Sequence, residues 1–198
     1  MKKLIKEIPV VSKIIFSISI LIYLLTVIVS FFQIDLINFL GLYQFDNEKF
    51  NPLQILTFTF SHDLMPDHII YNITFLLIFG VQCEFLLKKD FYKLILFTIC
   101  LAILGLQFFD QSGKHLGLSI IGFSTISYFI LSKNVLPVVL STPLKILGLL
   151  FIFSEFVLFL KGYTNNVFDG NFHSSYAHMI GVLSGSIFYL YMKIKKGV

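Results

Sequence analysis

The chain has 198 residues, 57% of them hydrophobic and 13% charged, with a formal net charge of +4 and a mean hydropathy of +0.87. A soluble globular domain, in which about a quarter of residues are charged, is excluded by this composition; residues 1–198 read as one integral membrane domain. All the positive charge is lysine beside apolar segments, where topology anchoring accounts for it and no nucleic-acid partner is required.

In chain order, a short tail over 1–13 carries Lys2, Lys3, Lys6 and Lys13 and leads into an apolar run that predicts a helix over 14–33. That run is too long for a secretion signal, and Ser30-Phe31-Phe32-Gln33 offers no small-x-small cleavage site. Residues 34–67 set Phe and Leu among Asp46, Glu48, Asp63 and Asp67, too polar to span and too apolar to float free, which predicts a partly helical interfacial loop. Further spans are expected over 69–87, 92–109, 116–132, 146–160 and 176–192, each close to the length that crosses a hydrocarbon core. The fold class is therefore all-α and polytopic, with six transmembrane helices in a core over 14–192. Cys83 and Cys100 fall inside spans, and no disulfide is expected.

Threading six spans puts Lys2, Lys3, Lys6, Lys13, Lys88, Lys89, Lys93, Lys133, Lys145, Lys193, Lys195 and Lys196 on one side and only Lys49, Lys114 and Lys161 on the other. Positive residues stay on the cytoplasmic side, so both termini are expected there, in a multi-pass protein of the cell membrane.

Polar side chains at membrane depth are expensive and usually mark chemistry. A serine hydroxyl becomes a nucleophile when a neutral imidazole takes its proton, and the two must meet. Depth tests the candidates. His178 precedes Lys193 by 15 residues and Ser119 precedes Lys133 by 14, which is roughly 22 Å and 21 Å of helix. Ser124, the alternative nucleophile, lies nine residues from Lys133, roughly 9 Å too deep for His178. Ser119 also sits where a helix starts and its amides lack internal partners, whereas the Ser124 amide is expected on the carbonyl of Ile120.

His68 and Asn72 lie one turn apart near the outer end of the second span and both can donate hydrogen bonds, as oxyanion donors do; the plainer reading is a polar pair that ties helices together. His62, His68, His173 and His178 all lie toward the outer side, but no H-E-x-x-H or comparable cluster appears, so neither metal nor cofactor is expected. Gly181 and Gly185 form a small-xxx-small stripe that lets the sixth helix approach another closely. Ser17, Ser19, Ser127 and Ser186 read as serines bonded back to helix carbonyls. Glu84, one turn from Lys88, reads as structural, and Glu155 has no evident partner.

Taken in order, Thr57-x-x-Phe60-x-His62, His68-x-x-x-Asn72, Phe79-Gly80-x-x-x-Glu84, Gly117-x-Ser119 and Ala177-His178-x-x-Gly181-x-x-x-Gly185 resemble the rhomboid family of intramembrane serine proteases, over about Thr57 to Gly185. The resemblance implies a six-helix core whose fourth helix begins below the outer surface and carries the nucleophile. It implies Ser119 as nucleophile, His178 as general base and then acid with no acidic third member, and His68 with Asn72 as oxyanion donors. An aromatic residue four positions after the nucleophile stacks on the base in such proteins, and Phe123 holds that position; Tyr128 would hold it for Ser124. The implied partners are the lipid bilayer and a transmembrane protein substrate. Two positions depart from the pattern: Ile120 stands where the family has Gly, and Leu53 and Gln54 replace a tryptophan-arginine pair. A second reading is a non-catalytic rhomboid-like protein that binds transmembrane segments, for which Ile120 would be the telling substitution.

Overall fold

A computed structural model of the chain describes residues 9–109, 114–133, 138–165, 167 and 169–196. Lys2, Lys3 and Lys6 lie outside the described residues. The described residues are helical, apart from loops and one isolated antiparallel bridge between Leu42 and His115. In chain order they form α1 (Val10–Ser30), α2 (Leu36–Leu40), α3 (Gln54–Thr57), α4 (Pro66–Phe75), α5 (Val81–Leu87), α6 (Phe91–Phe109), α7 (Ser119–Leu131), α8 (Val138–Asn165) and α9 (Gly170–Lys196). The π turn Leu76–Gly80 joins α4 to α5.

Among the described residues four stretches are long and apolar enough to cross a membrane: Val10–Ser30, Pro66–Phe108, Val139–Asn165 and Gly170–Lys195. Helix length alone therefore does not give the six expected spans. Pro66–Phe108 holds two of them in one 43-residue stretch, which as a straight rod would measure roughly 65 Å. It is broken instead at Lys88, with φ 52° and ψ −123°, followed by a 3-10 turn over Lys88–Asp90. The fourth expected span is α7, only 13 residues or roughly 20 Å long. The fifth and sixth helices run well beyond the expected 146–160 and 176–192: the fifth starts at Val138 and passes through Pro143, and the sixth runs from Gly170 to Lys196.

α7 lies at the centre. Ile120 through Phe129 are all buried, as befits a helix that is apolar all round and relieved only by small hydroxyl side chains. Its inner part packs on Leu76, Phe79, Cys83, Leu94 and Phe188, while Ile120 belongs to a second cluster with Leu42, Phe58, Leu106 and Ile180. Against α9 the contact is backbone to backbone. A Cβ on Gly181 would run into the carbonyl oxygen of Ile120, and one on Gly185 into that of Ser124. The stripe read from the sequence is thus the crossing point of the two helices. Gly185→Ala must push α7 and α9 apart; we expect it to cost about 1–3 kcal/mol, read as earlier unfolding in detergent, and wild-type stability would contradict the close approach.

Helix ends explain two of the acidic residues. Glu84 is buried and caps α1 from a distant part of the chain, accepting hydrogen bonds from Val11 N (2.8 Å), Ser12 N (2.8 Å) and Ser12 Oγ (2.7 Å). Its role is structural as expected, but its partner is the first helix's free amides and not Lys88. Asp169 caps α9 by accepting from Phe172 N at 3.0 Å.

The interfacial loop is pinned to the segment that leads into α7. Leu42 N donates to His115 O (3.0 Å), His115 N to Leu42 O (2.9 Å), and Gly117 N to Phe58 O (2.9 Å). Gln54 is fully buried; its side chain accepts from Tyr43 N (3.2 Å) and donates to Lys49 O (2.9 Å). One residue of the departing Leu53-Gln54 pair therefore serves to fix the loop that positions Ser119.

Candidate active site

A cavity of about 830 Å³ opens at the N-terminal end of α7, and Ser119, His178, His68 and Asn72 all line it. Three elements bring them there. α7 supplies Ser119 as its first residue, α9 supplies His178 one turn before the Gly181 crossing, and α4 supplies His68 and Asn72. α4 starts at Pro66, whose fixed φ suits the first helical turn and whose missing N–H costs nothing there.

Ser119 precedes the first internal hydrogen bond of α7, which runs from Gly122 N to Leu118 O at 2.8 Å. Its own amide is thus among the helix-start donors that lie at the positive end of the dipole. No side-chain cap occupies that end. Among the described residues no hydrogen bond joins Ser119 to His178, although both line the cavity.

The His178 ring lies flat on Phe123, centroids 4.3 Å apart and planes inclined by 20°. Its Nδ1 is 3.0 Å from Oε2 of Glu155 on α8, with the two side chains 12% and 19% exposed. The distance is that of an ion pair, but the carboxylate lies off the axis of the ring N–H, so no formed hydrogen bond results. The same Oε2 accepts from Ser175 Oγ at 2.8 Å. Glu155, without an evident partner in the sequence, is therefore placed against His178.

On the opposite wall, His68 Nδ1 pairs with Asp63 Oδ2 at 3.0 Å, and His62 packs edge-on to it with ring centroids 5.1 Å apart. Burial first, and then the neighbouring His68, push the His62 imidazole down to about 4, so it is neutral at physiological pH. Asn72 Nδ2 is buried with no protein acceptor. The remaining side of this wall is Gly117, whose φ of +100° suits glycine, and where a Cβ would sit 2.9 Å from His68 Nε2 and 3.1 Å from Asn72 Nδ2. His68 Nε2 and Asn72 Nδ2 thus meet beside Gly117, two residues before the start of α7.

Ser124 is placed elsewhere. It is fully buried, shares a 2.7 Å hydrogen bond with Thr98 Oγ1, and lies under Gly185 outside the cavity. Of the serines read as bonded back to carbonyls, Ser186 does so to Val182 O at 2.9 Å and also meets Ser127 Oγ at 2.7 Å. Ser19 does not, its buried hydroxyl having no partner. Among the described residues no three His, Cys, Asp or Glu side chains gather closely enough to hold a metal ion.

The family model of the Rhomboid domain matches residues 49–195. The chain belongs to the rhomboid family. Comparison with curated proteins returns no match. As a rhomboid it departs from the family's pattern at Ile120, and the structure shows where that residue goes. Gly181 rests on the Ile120 carbonyl, while the side chain, 3% exposed, turns into the cluster with Leu42, Phe58 and Ile180. The branched residue consequently does not wedge α7 from α9. Sequence reasoning missed Glu155 and Asp63 as neighbours of the two histidines. A carboxylate inside an apolar helix needs a partner, and that need was the available signal for Glu155; Asp63, five residues before His68, was visible only as part of a polar loop.

Proposed function

We propose that this rhomboid is an intramembrane serine endopeptidase that cleaves transmembrane or juxtamembrane segments of membrane proteins through a Ser119–His178 dyad. The observation that carries this reading is the meeting of Ser119, His178, His68 and Asn72 on one cavity at the start of α7. Ser119 Oγ attacks the scissile carbonyl while His178 takes its proton. The tetrahedral oxyanion then accepts hydrogen bonds from the Ser119 amide, Asn72 Nδ2 and His68 Nε2. For His68 this requires the proton-bearing form of Nε2, with Asp63 accepting at Nδ1. His178 next gives its proton to the leaving amine, and a water activated by the same imidazole hydrolyses the acyl-enzyme and regenerates Ser119.

A fluorophosphonate, which phosphonylates activated serines, tests the reading. Covalent labelling of the folded membrane protein is expected; a correctly folded protein that never labels would favour the segment-binding alternative.

We also read the chain as one six-span domain, with Pro66–Leu87 and Phe91–Phe109 as two crossings turned at Lys88 and α7 as the short central one. Both termini are then cytoplasmic, with twelve of fifteen lysines on that side. In sealed, right-side-out vesicles the C-terminal tail is expected to resist added protease, and its digestion from outside would overturn this topology.

A further inference from the structure

Glu155 takes no part in the chemistry just described, yet among the described residues lining the cavity it is the sole carboxylate. It stands in a Phe- and Leu-rich run of α8 where a charge is costly, and its Oε2 is approached by two groups of α9, His178 Nδ1 and Ser175 Oγ. Ser175 and His178 are three residues apart and so share a helix face, which allows one oxygen to meet both.

We propose that Glu155 is the positioning residue of the base: its carboxylate accepts the Nδ1 proton of His178, fixes that tautomer, and leaves the Nε2 lone pair for the Ser119 hydroxyl. The inference rests on the Ser119–His178 reading and adds an acidic member to it. A neutral imidazole carries one proton, and the partner of one nitrogen decides which nitrogen keeps it. With the proton on Nε2 the ring has no lone pair to offer Ser119. As Ser119 attacks, Nε2 gains the hydroxyl proton, and the resulting imidazolium lies 3.0 Å from a carboxylate that stays ionised. The final torsion of histidine is soft, so a modest ring turn on Phe123 brings the N–H onto Oε2. Ser175 holds the oxygen in place meanwhile.

The test compares the full-length wild type with E155Q and E155D, by fluorophosphonate labelling and by cleavage of a transmembrane peptide in proteoliposomes. Gln has the size of Glu and can still accept from Ser175, so it preserves a merely structural contact while removing the charge. E155Q is expected to lose about 10²- to 10⁴-fold in kcat, with KM and unfolding midpoint close to wild type, and E155D to recover part of the loss. Wild-type kcat in E155Q would overturn the proposal. Should E155Q fail to fold, E155D decides: a lowered kcat at unchanged KM supports the assignment, and wild-type kcat overturns it. A wild type that labels at Ser119 beside an E155Q equal to it fails Glu155 alone, whereas a wild type that does not label fails the Ser119–His178 reading beneath it.

Discussion

Ser119→Ala is expected to abolish both fluorophosphonate labelling and proteolysis, a fall of about 10⁴- to 10⁶-fold, and His178→Ala to do nearly the same. The hydroxyl and the imidazole act as a unit, so the double variant should be little worse than either single one. Ser124→Ala should keep most of its activity and lose some stability instead, because it removes a hydroxyl bonded to Thr98 in a fully buried position. Mass-spectrometric mapping of the probe adduct decides between the serines. An adduct on Ser124 would require the α7–α9 crossing to open, since Gly185 lies against that residue's backbone, and would sink the assignment of Ser119.

The second large effect is expected at the opposite wall. Asn72→Ala and His68→Ala should each lower kcat by about 10- to 1000-fold while binding substrate almost as before, because their hydrogen bonds strengthen only when the carbonyl oxygen becomes negative. Asn72 is the sharper case, having a buried amide nitrogen with no acceptor of its own. Steady-state cleavage of a model transmembrane peptide separates the two parameters. Wild-type turnover in both variants would remove these residues from the oxyanion role and leave them as packing.

The residues that line the candidate site's cavity were legible from local spacing. Counting residues from Ser119 and His178 to the nearest lysines placed them at one level, and the small-xxx-small stripe foretold the helix contact that brings α9 onto α7. Phe123, four residues on from Ser119, stacks on His178 as the resemblance implied. What the sequence hid depends on how distant faces meet. Glu84 capping α1 links positions more than seventy residues apart, and Glu155 reaching His178 depends on the rotation of α8 about its own axis, which hydropathy does not encode. The expected division into 69–87 and 92–109 falls where the backbone departs from helix at Lys88, but helix length by itself leaves Pro66–Phe108 undivided.

At the crossing of α7 and α9 a glycine Cα rests on a carbonyl oxygen twice in succession, with no side chain between to change rotamer. Such a joint behaves as a notch: the helices can slip only by lifting apart or by jumping a full turn of about 5.4 Å. Ser119 and His178 ride on the two sides of that notch, so their register is set by the backbone and does not depend on what else moves. Under the proposed function, room for a substrate helix then comes from a different wall. α8, with 6% of its apolar window buried, is the least enclosed of the long apolar stretches, although it carries the Glu155 that meets His178 and Ser175.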